Sequence, residues 1–206
     1  MILKFYKYQG TGNDFVMIDN RELTFPTNNV KLISQLCDRK FGIGADGLIL
    51  LQNHTSLDFE MIYYNADGST STMCGNGGRC IVAFAQYLKL IDFETSFMAS
   101  DGVHYATIND NLIALQMIDV NHVKVTNEYT YLYTGSPHHI VEDNNIENTN
   151  VNQVGASIRY SELYGKEGCN INFVKQINEN TFQIRTYERG VEAETLSCGT
   201  GATATA

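Results

Sequence analysis

The chain has 206 residues, 43% of them hydrophobic, with 14 basic against 23 acidic side chains. That length and apolar content suffice for one large domain or two compact lobes with real cores, and exclude a disordered tail. A formal charge of −9 without any cluster of Lys and Arg argues against nucleic acid or an anionic membrane as partner.

The first residues, Met1-Ile2-Leu3-Lys4-Phe5-Tyr6-Lys7-Tyr8, alternate like a strand and lack the apolar block of a signal peptide, so an intracellular, cytoplasmic protein is expected. The longest apolar runs, Leu48–Leu51 and Ile81–Ala85, fall far short of the roughly 20 residues of a membrane span. Strand-like runs follow in order at residues 2–8, 15–18, 48–51, 58–64, 93–98, 104–108, 112–118 and 123–132, then at 140–142, 170–175 and 182–187. Turn residues such as Asp101-Gly102 and Asn109-Asp110-Asn111 separate neighbours closely enough for hairpins. Helical spacing is clearest over 30–40, behind Thr27, Asn28 and Asn29 as capping candidates, and over 76–90. The asparagine-rich stretch 144–152 shows no apolar period and reads as a surface loop. Many strands, few helices and no regular βαβ alternation predict a mixed α+β protein built on antiparallel sheet.

Five cysteines, Cys37, Cys74, Cys80, Cys169 and Cys198, are an odd, scattered set that suits free thiols better than a disulfide framework. There is no Cys-x-x-Cys pair, and the five histidines do not join the cysteines at zinc-ligand spacing, so no metal site is expected. Cys37, Cys80 and Cys169 read as small packing residues.

Cys74 and Cys198 sit in matched contexts. Tyr64 leads through Asp67-Gly68 and a Ser/Thr stretch to Cys74-Gly75-Asn76-Gly77; Tyr187 leads through Arg189-Gly190 and Thr195 to Cys198-Gly199-Thr200-Gly201. The repeat predicts two lobes of like topology, residues 1–118 carrying Cys74 and 119–206 carrying Cys198, each delivering a thiol to the mouth of a helix. Glycines after each cysteine let backbone N–H groups converge there, where partial positive charge favours a carboxylate and can lower a thiol from ~8.5 into the ~3.5–7.5 range. Two such sites facing one α-carbon would remove a proton from one face and return one to the other. A phosphate loop is not supported, because neither copy continues into Lys-Ser or Lys-Thr. Gly10-Thr11-Gly12-Asn13-Asp14 leads from one strand to another and not into a helix, so a nucleotide cofactor is not expected.

These residues resemble the diaminopimelate epimerase family. The landmarks are Gly10–Asp14, Gly42–Gly47, Asn65–Ser69, Met73–Cys80, Gly135–His138, Tyr187–Gly190 and Cys198–Ala202. The resemblance implies two lobes, each a curled, mainly antiparallel sheet around a helix, with the active site in the cleft between them. It implies cofactor-independent interconversion of LL- and meso-diaminopimelate in lysine and cell-wall biosynthesis, with Cys198 accepting and Cys74 donating the α-proton in the LL to meso direction. Gly75, Asn76, Gly199 and Thr200 would then hold the carboxylate at the reacting centre. Asn13, Asn65, Asn170, Glu188 and Arg189 fall on substrate-binding positions, with Ser136 and His138 beside them in support. Asparagine in a turn more often simply closes it, so Asn13 and Asn65 also carry that plainer reading.

Gly47 stands where some relatives of that family carry a substrate-contacting Gln, and Ser136 where an Asn is frequent. The segment after Cys198 is eight residues against a full helix and return strands after Cys74, so the repeat predicts a second lobe truncated at its C-terminal end. Two other readings stand beside this one: a cofactor-independent racemase of another amino acid such as histidine, and a non-catalytic amino-acid-binding or thiol redox protein. The expected partner is a small amino acid, and homodimerisation is left open.

Overall fold

The computed structural model describes residues 2–110 and 112–206, and Asn111 of the expected turn lies outside them. The chain divides into two compact units, Met1–Gln116 and Met117–Ala206. Strands β1 (Tyr6–Gly10), β2 (Asn13–Asp19), β3 (Gly47–Gln52), β4 (Phe59–Asn65), β5 (Glu94–Ala99), β6 (Gly102–Asn109) and β7 (Leu112–Leu115) form one sheet in chain order. Neighbours pair antiparallel except β2–β3 and β4–β5. Those two parallel pairs are the ones that need a crossover, and they enclose the helices α1 (Val30–Cys37) and α2 (Gly75–Tyr87).

Period-two alternation sorts the first sheet's side chains between the two helices. Val16, Ile18, Leu48 and Leu50 join Ile33 and Cys37 of α1 in one core cluster. On the other face α2 packs against β1, β2, β3, β4 and β7. A helix that touches both outer strands and the middle of a seven-stranded sheet lies inside its curl. Phe84 meets the Tyr6 ring at 4.9 Å on β1, and at Gly78 a Cβ would come within 2.8 Å of Leu115 on β7. Phe15, Phe59, Phe84 and Phe97 are fully buried, each contributing about 1.5–3 kcal/mol of transfer free energy.

In the second unit the strands β8 (Val123–Val125), β9 (Thr130–Tyr133), β10 (Pro137–Glu142), β11 (Asn170–Asn178), β12 (Thr181–Glu188) and β13 (Ala193–Thr195) form a second sheet, again in chain order. Here β10–β11 is the parallel pair, and it encloses α3 (Val151–Arg159). Ile171, Phe173 and Tyr187 face α3 in a cluster with Ile146 and Val151. The opposite face meets α4 (Gly199–Thr205), which packs on β10, β11 and β12. The mixed α+β architecture of two mainly antiparallel sheets is as the sequence predicts, and no helix among the described residues is long and apolar enough to cross a membrane.

Three local expectations need correction. Residues 144–152 are not a plain loop: they hold a short 3-10 turn, Ile146–Asn148, and the start of α3, with Ile146 and Val151 buried. Asn150 caps α3 by accepting the Gln153 N–H at 3.2 Å, so the asparagines that obscured the helix in fact begin it. Residues 123–132 form a hairpin and not one strand, because the Thr126 hydroxyl and Tyr129 backbone bond each other and turn the chain. Helix α1 ends at Cys37, three residues early, where the Asp38 carboxylate accepts the N–H groups of Lys40 and Phe41 at 2.8 and 2.7 Å.

Candidate active site

In the first unit the site is built on the β1–β2 hairpin and the mouth of α2. Thr11 and Gly12 have φ of 53° and 84°, the double left-handed turn that suits a two-residue hairpin loop, and Asn13 therefore opens β2. Cys74 caps α2 from extended backbone, φ −120° and ψ 119°, and its sulfur accepts the Gly77 N–H at 3.4 Å. The same sulfur lies 3.5 Å from Asn13 Oδ1, which also accepts from Asn76 Nδ2 at 3.5 Å. At Gly77 the helix lies close on the sheet: a Cβ there would stand 2.9 Å from Ile49 Cδ1, which would have to shift. The sheet thus brings Asn13, Cys74, Gly75 and Asn76 together. Asn65 closes its own turn, donating from Nδ2 to Ser69 Oγ at 3.1 Å.

Gly47 is buried beneath an aromatic neighbour. A Cβ at that position would meet Tyr63 Cε2 at 2.5 Å, so in this chain the ring of Tyr63 fills the space into which a longer residue at 47 would have to pass.

In the second unit Cys198 caps α4 with nearly the same backbone, φ −120° and ψ 109°. The local repeat in sequence is thus a repeat in geometry. The surroundings differ: α2 lies on an apolar sheet face, whereas α4 lies on a buried polar one. Thr200 Oγ1 sits 3.4 Å from Cys198 Sγ and 2.8 Å from His138 Nε2. Asn172 Nδ2 donates to His138 Nδ1 at 2.9 Å, and Asn172 Oδ1 accepts from the Thr186 hydroxyl at 2.9 Å. Thr134 adds a bond from its hydroxyl to the Thr200 carbonyl at 2.8 Å.

His138 lies on β10 with no exposed surface. Burial pulls its pKa down to about 3, against the opposing effect of the Asn172 bond, so the ring is neutral. Cys198 is 8% exposed, and burial pushes its thiol up to about 12, reinforced by the Glu188 carboxylate. Hydrogen bonds from Thr200 and from the N–H groups of Gly201 and Thr200 work the other way. The helix entry therefore favours the thiolate as expected, but desolvation outweighs it at Cys198.

Asn170 ties two further site residues together. Its Nδ2 donates to Ser136 Oγ at 2.9 Å, and its Oδ1 accepts the Arg189 N–H at 2.9 Å. It is buried. Glu188 accepts from the Thr195 hydroxyl at 2.9 Å, and Arg189 Nη1 donates to the Glu167 carbonyl at 3.2 Å. Cys37, Cys80 and Cys169 are buried free thiols, pushed up to about 11, 12 and 12 by desolvation, which suits packing and not proton transfer. Among the described residues no three His, Cys, Asp or Glu side chains converge as a metal site.

Sequence reasoning missed Asp46, Thr134, Asn172 and Thr186. For Asn172 a signal existed: Asn170 and Asn172 alternate with Ile171 and Phe173, which puts two amides on one face of a buried strand.

The sequence profile of the diaminopimelate epimerase family matches residues 5–123 and 130–206. A diaminopimelate epimerase of Flavobacterium psychrophilum is 63% identical over 205 residues, covering 99% of this chain and 80% of that protein. One from Aquifex aeolicus is 38% identical over 223 residues, again covering 99% and 80%. Among solved structures, a hydroxyproline epimerase from Agrobacterium vitis with bound trans-4-OH-L-proline aligns at a TM-score of 0.68 with 14% identity, covering 98% of this chain and 73% of that one. A phenazine biosynthesis protein of the PhzF family from Bacillus anthracis aligns at 0.67 with 14% identity, covering 97% and 75%. At these identities the likeness to solved structures concerns the fold alone.

Proposed function

The chain belongs to the diaminopimelate epimerase family, and from that premise we propose that it interconverts LL- and meso-diaminopimelate, without a cofactor, through Cys74 and Cys198. The observation that carries the reading is the matched pair of cysteines at helix N-cap positions, each in extended backbone at φ −120° and followed by Gly-x-Gly.

In the LL to meso direction the Cys198 thiolate takes the α-proton: the Cα–H bond breaks and an S–H bond forms. The carbanion is then protonated on its opposite face as the Cys74 S–H bond breaks, leaving Cys74 as thiolate and Cys198 as thiol. The reverse direction exchanges the roles. Charge that develops on the substrate carboxylate is stabilised by backbone N–H groups of Gly75, Asn76, Gly199 and Thr200. The burial that raises Cys198 makes its thiolate a stronger base, closer in basicity to the carbon it must deprotonate. Asn13, Asn65, Asn170, Glu188 and Arg189 hold the rest of the substrate, with Ser136 and His138 supporting them. An Arg and several amides suit a second amino-acid head, since they supply both the charge and the donors and acceptors it needs. The role is that of a cytoplasmic enzyme acting on a small amino acid in lysine and peptidoglycan precursor synthesis.

Incubation with LL-diaminopimelate in D₂O tests this reading. Deuterium is expected at the α-carbon together with accumulation of the meso isomer. Exchange into histidine or another amino acid, with none into diaminopimelate, would overturn the substrate.

A further inference from the structure

The buried polar face under α4 contains a run of hydrogen bonds whose direction can be read. Asn172 Nδ2 lies 2.9 Å from His138 Nδ1 and 3.5 Å from the His139 carbonyl. A carbonyl accepts only, so the nitrogen of the amide points to that side and Oδ1 points to the Thr186 hydroxyl. His138 Nδ1 is then an acceptor, and the ring proton of the neutral imidazole is on Nε2. That proton goes to Thr200 Oγ1 at 2.8 Å, which leaves the Thr200 hydroxyl hydrogen for Cys198 Sγ at 3.4 Å. Every donor in the run points toward the sulfur: Thr186 to Asn172, Asn172 to His138, His138 to Thr200, Thr200 to Cys198. The fixed amide sets this direction as far as Thr200, and once Cys198 is ionised its sulfur can only accept, so the Thr200 hydroxyl is then the donor to it.

We propose that Asn172, itself held by Thr186, is a positioning residue for Cys198: by locking His138 in the Nε2–H tautomer it directs the Thr200 hydroxyl proton at the sulfur and stabilises the thiolate. The inference rests on the reading of Cys198 as a proton-transfer group, and it adds the part of the fold that offsets some of the desolvation opposing its ionisation. Chains of this kind strengthen each member by polarisation, and the low dielectric around them raises the cost of a break. All of the residues concerned, Thr134 included, are less than 9% exposed, so water does not substitute for a lost partner. The charged groups that bear on the run are Glu188, which adds to burial in opposing ionisation of Cys198, and Arg189, which adds to burial in holding His138 neutral. Neither interrupts it. Asn172 also braces α4 directly, since a Cβ at Gly201 would stand 2.5 Å from its Oδ1.

Two measurements on the 206-residue protein decide the matter without reference to turnover. Two-bond ¹H–¹⁵N correlation spectra should show His138 as a single Nε2–H tautomer in the unaltered chain; an Nδ1–H form or an even mixture would overturn the proposal, and no variant has to fold for this result. The second measurement is the pH profile of Cys198 alkylation by iodoacetamide, resolved by peptide mass spectrometry. Thr200→Val should move its midpoint up by about one pH unit and slow alkylation at pH 8 by roughly tenfold, the scale of one hydrogen bond to a charged sulfur. Asn172→Leu, which adds no charge, should shift it the same way and mix the His138 tautomers, while Thr200→Ser restores the profile. Wild-type alkylation profiles in both Thr200→Val and Asn172→Leu would refute the directed chain. Because neither readout uses diaminopimelate, a wrong substrate would leave both results standing.

Discussion

Asp46 fixes which way the Asn13 amide faces. Its Oδ2 accepts from Asn13 Nδ2 at 2.9 Å, and because a carboxylate cannot donate, Asn13 Oδ1 is turned toward Cys74 Sγ at 3.5 Å. Asp46 is itself anchored by Arg39 at 2.6 Å and by the Asp14 N–H at 3.1 Å. Cys74 thus has a side-chain acceptor beside it, Asn13 Oδ1, as well as the Gly77 N–H donor, whereas the side chain beside Cys198 is the Thr200 hydroxyl. The two lobes repeat one backbone plan and place different side-chain partners beside their sulfurs.

Asp46→Asn keeps the shape but can donate, so Asn13 can rotate and offer N–H to Cys74 and Asn76. Turnover should fall by roughly tenfold, the scale of one misdirected hydrogen bond, while the midpoint of urea unfolding moves little because the group is partly exposed. A wild-type kcat in this variant would show that the orientation of Asn13 has no bearing on Cys74.

Gly201 should tolerate no side chain. An added Cβ would lie 2.5 Å from Asn172 Oδ1 and 3.3 Å from Cys198 Sγ. Asn172 cannot swing aside, because Thr186 and His138 hold both ends of its amide. Gly201→Ala is expected to cost about 1–3 kcal/mol in chemical denaturation, as overpacking does in a filled core. Stability equal to wild type would mean that α4 can shift away from the sheet.

The parts of this site that sequence reveals are those carried by neighbouring residues. Cys74 and Cys198 announce themselves because the glycines that open their helices follow at once. The Asn13 hairpin is legible because Thr11-Gly12 suits its turn. Asp46 lies in a quoted glycine turn, but its job exists only once β3 pairs with β2 and brings residue 46 beside residue 14. Asn172 is harder still, since its meaning depends on His138, thirty-four positions away, and on a glycine that lets α4 close over it. Helix α3 was hidden for a different reason: its cap and its flanks are asparagines, and a glycine occupies one of its buried positions. Gly155 is required there because a Cβ would stand 2.4 Å from Tyr187 Cβ. Local chemistry is written in the order of the chain, whereas long-range pairing is not.

The two units should respond oppositely to pH. His104 is buried in the first unit between Asp101 Oδ1 at 2.8 Å and the Gln116 carbonyl at 3.0 Å. Burial works against its charge, but the Asp101 and Gln116 bonds prevail and its pKa is raised. Its stabilisation is therefore fully present below the unfolded value of about 6.5 and is lost as pH rises through the raised folded value. His138 and His139 in the second unit are pulled down by burial to about 3 and about 4. They stay neutral in the fold while the unfolded chain takes up protons below about 6.5, so the second unit loses stability as pH falls from there. Amide exchange, corrected for its intrinsic rate, should show β5 and β6 better protected at pH 5.5 than at 8, and β10 and β11 the reverse. His104→Gln should abolish the first trend and leave the second. Trends of the same sign in both units would contradict these assignments.

Removing one thiol at a time should separate two half-reactions. With Cys74→Ala, Cys198 can still take the α-proton of the LL isomer and return a deuteron to the same face after exchange with D₂O. Label then enters LL-diaminopimelate without inversion. With Cys198→Ala the corresponding exchange should occur only from the other face, into the meso isomer. Net epimerisation should fall by at least about 10³-fold in each, because positioned proton transfer contributes roughly 10²–10⁴ at each step and inversion needs both groups. Cys37→Ala provides the contrast: that thiol is buried in the α1 cluster, so its loss should change stability and leave exchange intact. The stereochemistry of the label is the sharper reading, since a solvent-derived base could mimic residual turnover but would not confine exchange to one isomer in each variant. Unimpaired inversion in either variant, or label in both isomers from one thiol, would rule out a mechanism in which each cysteine serves a single face.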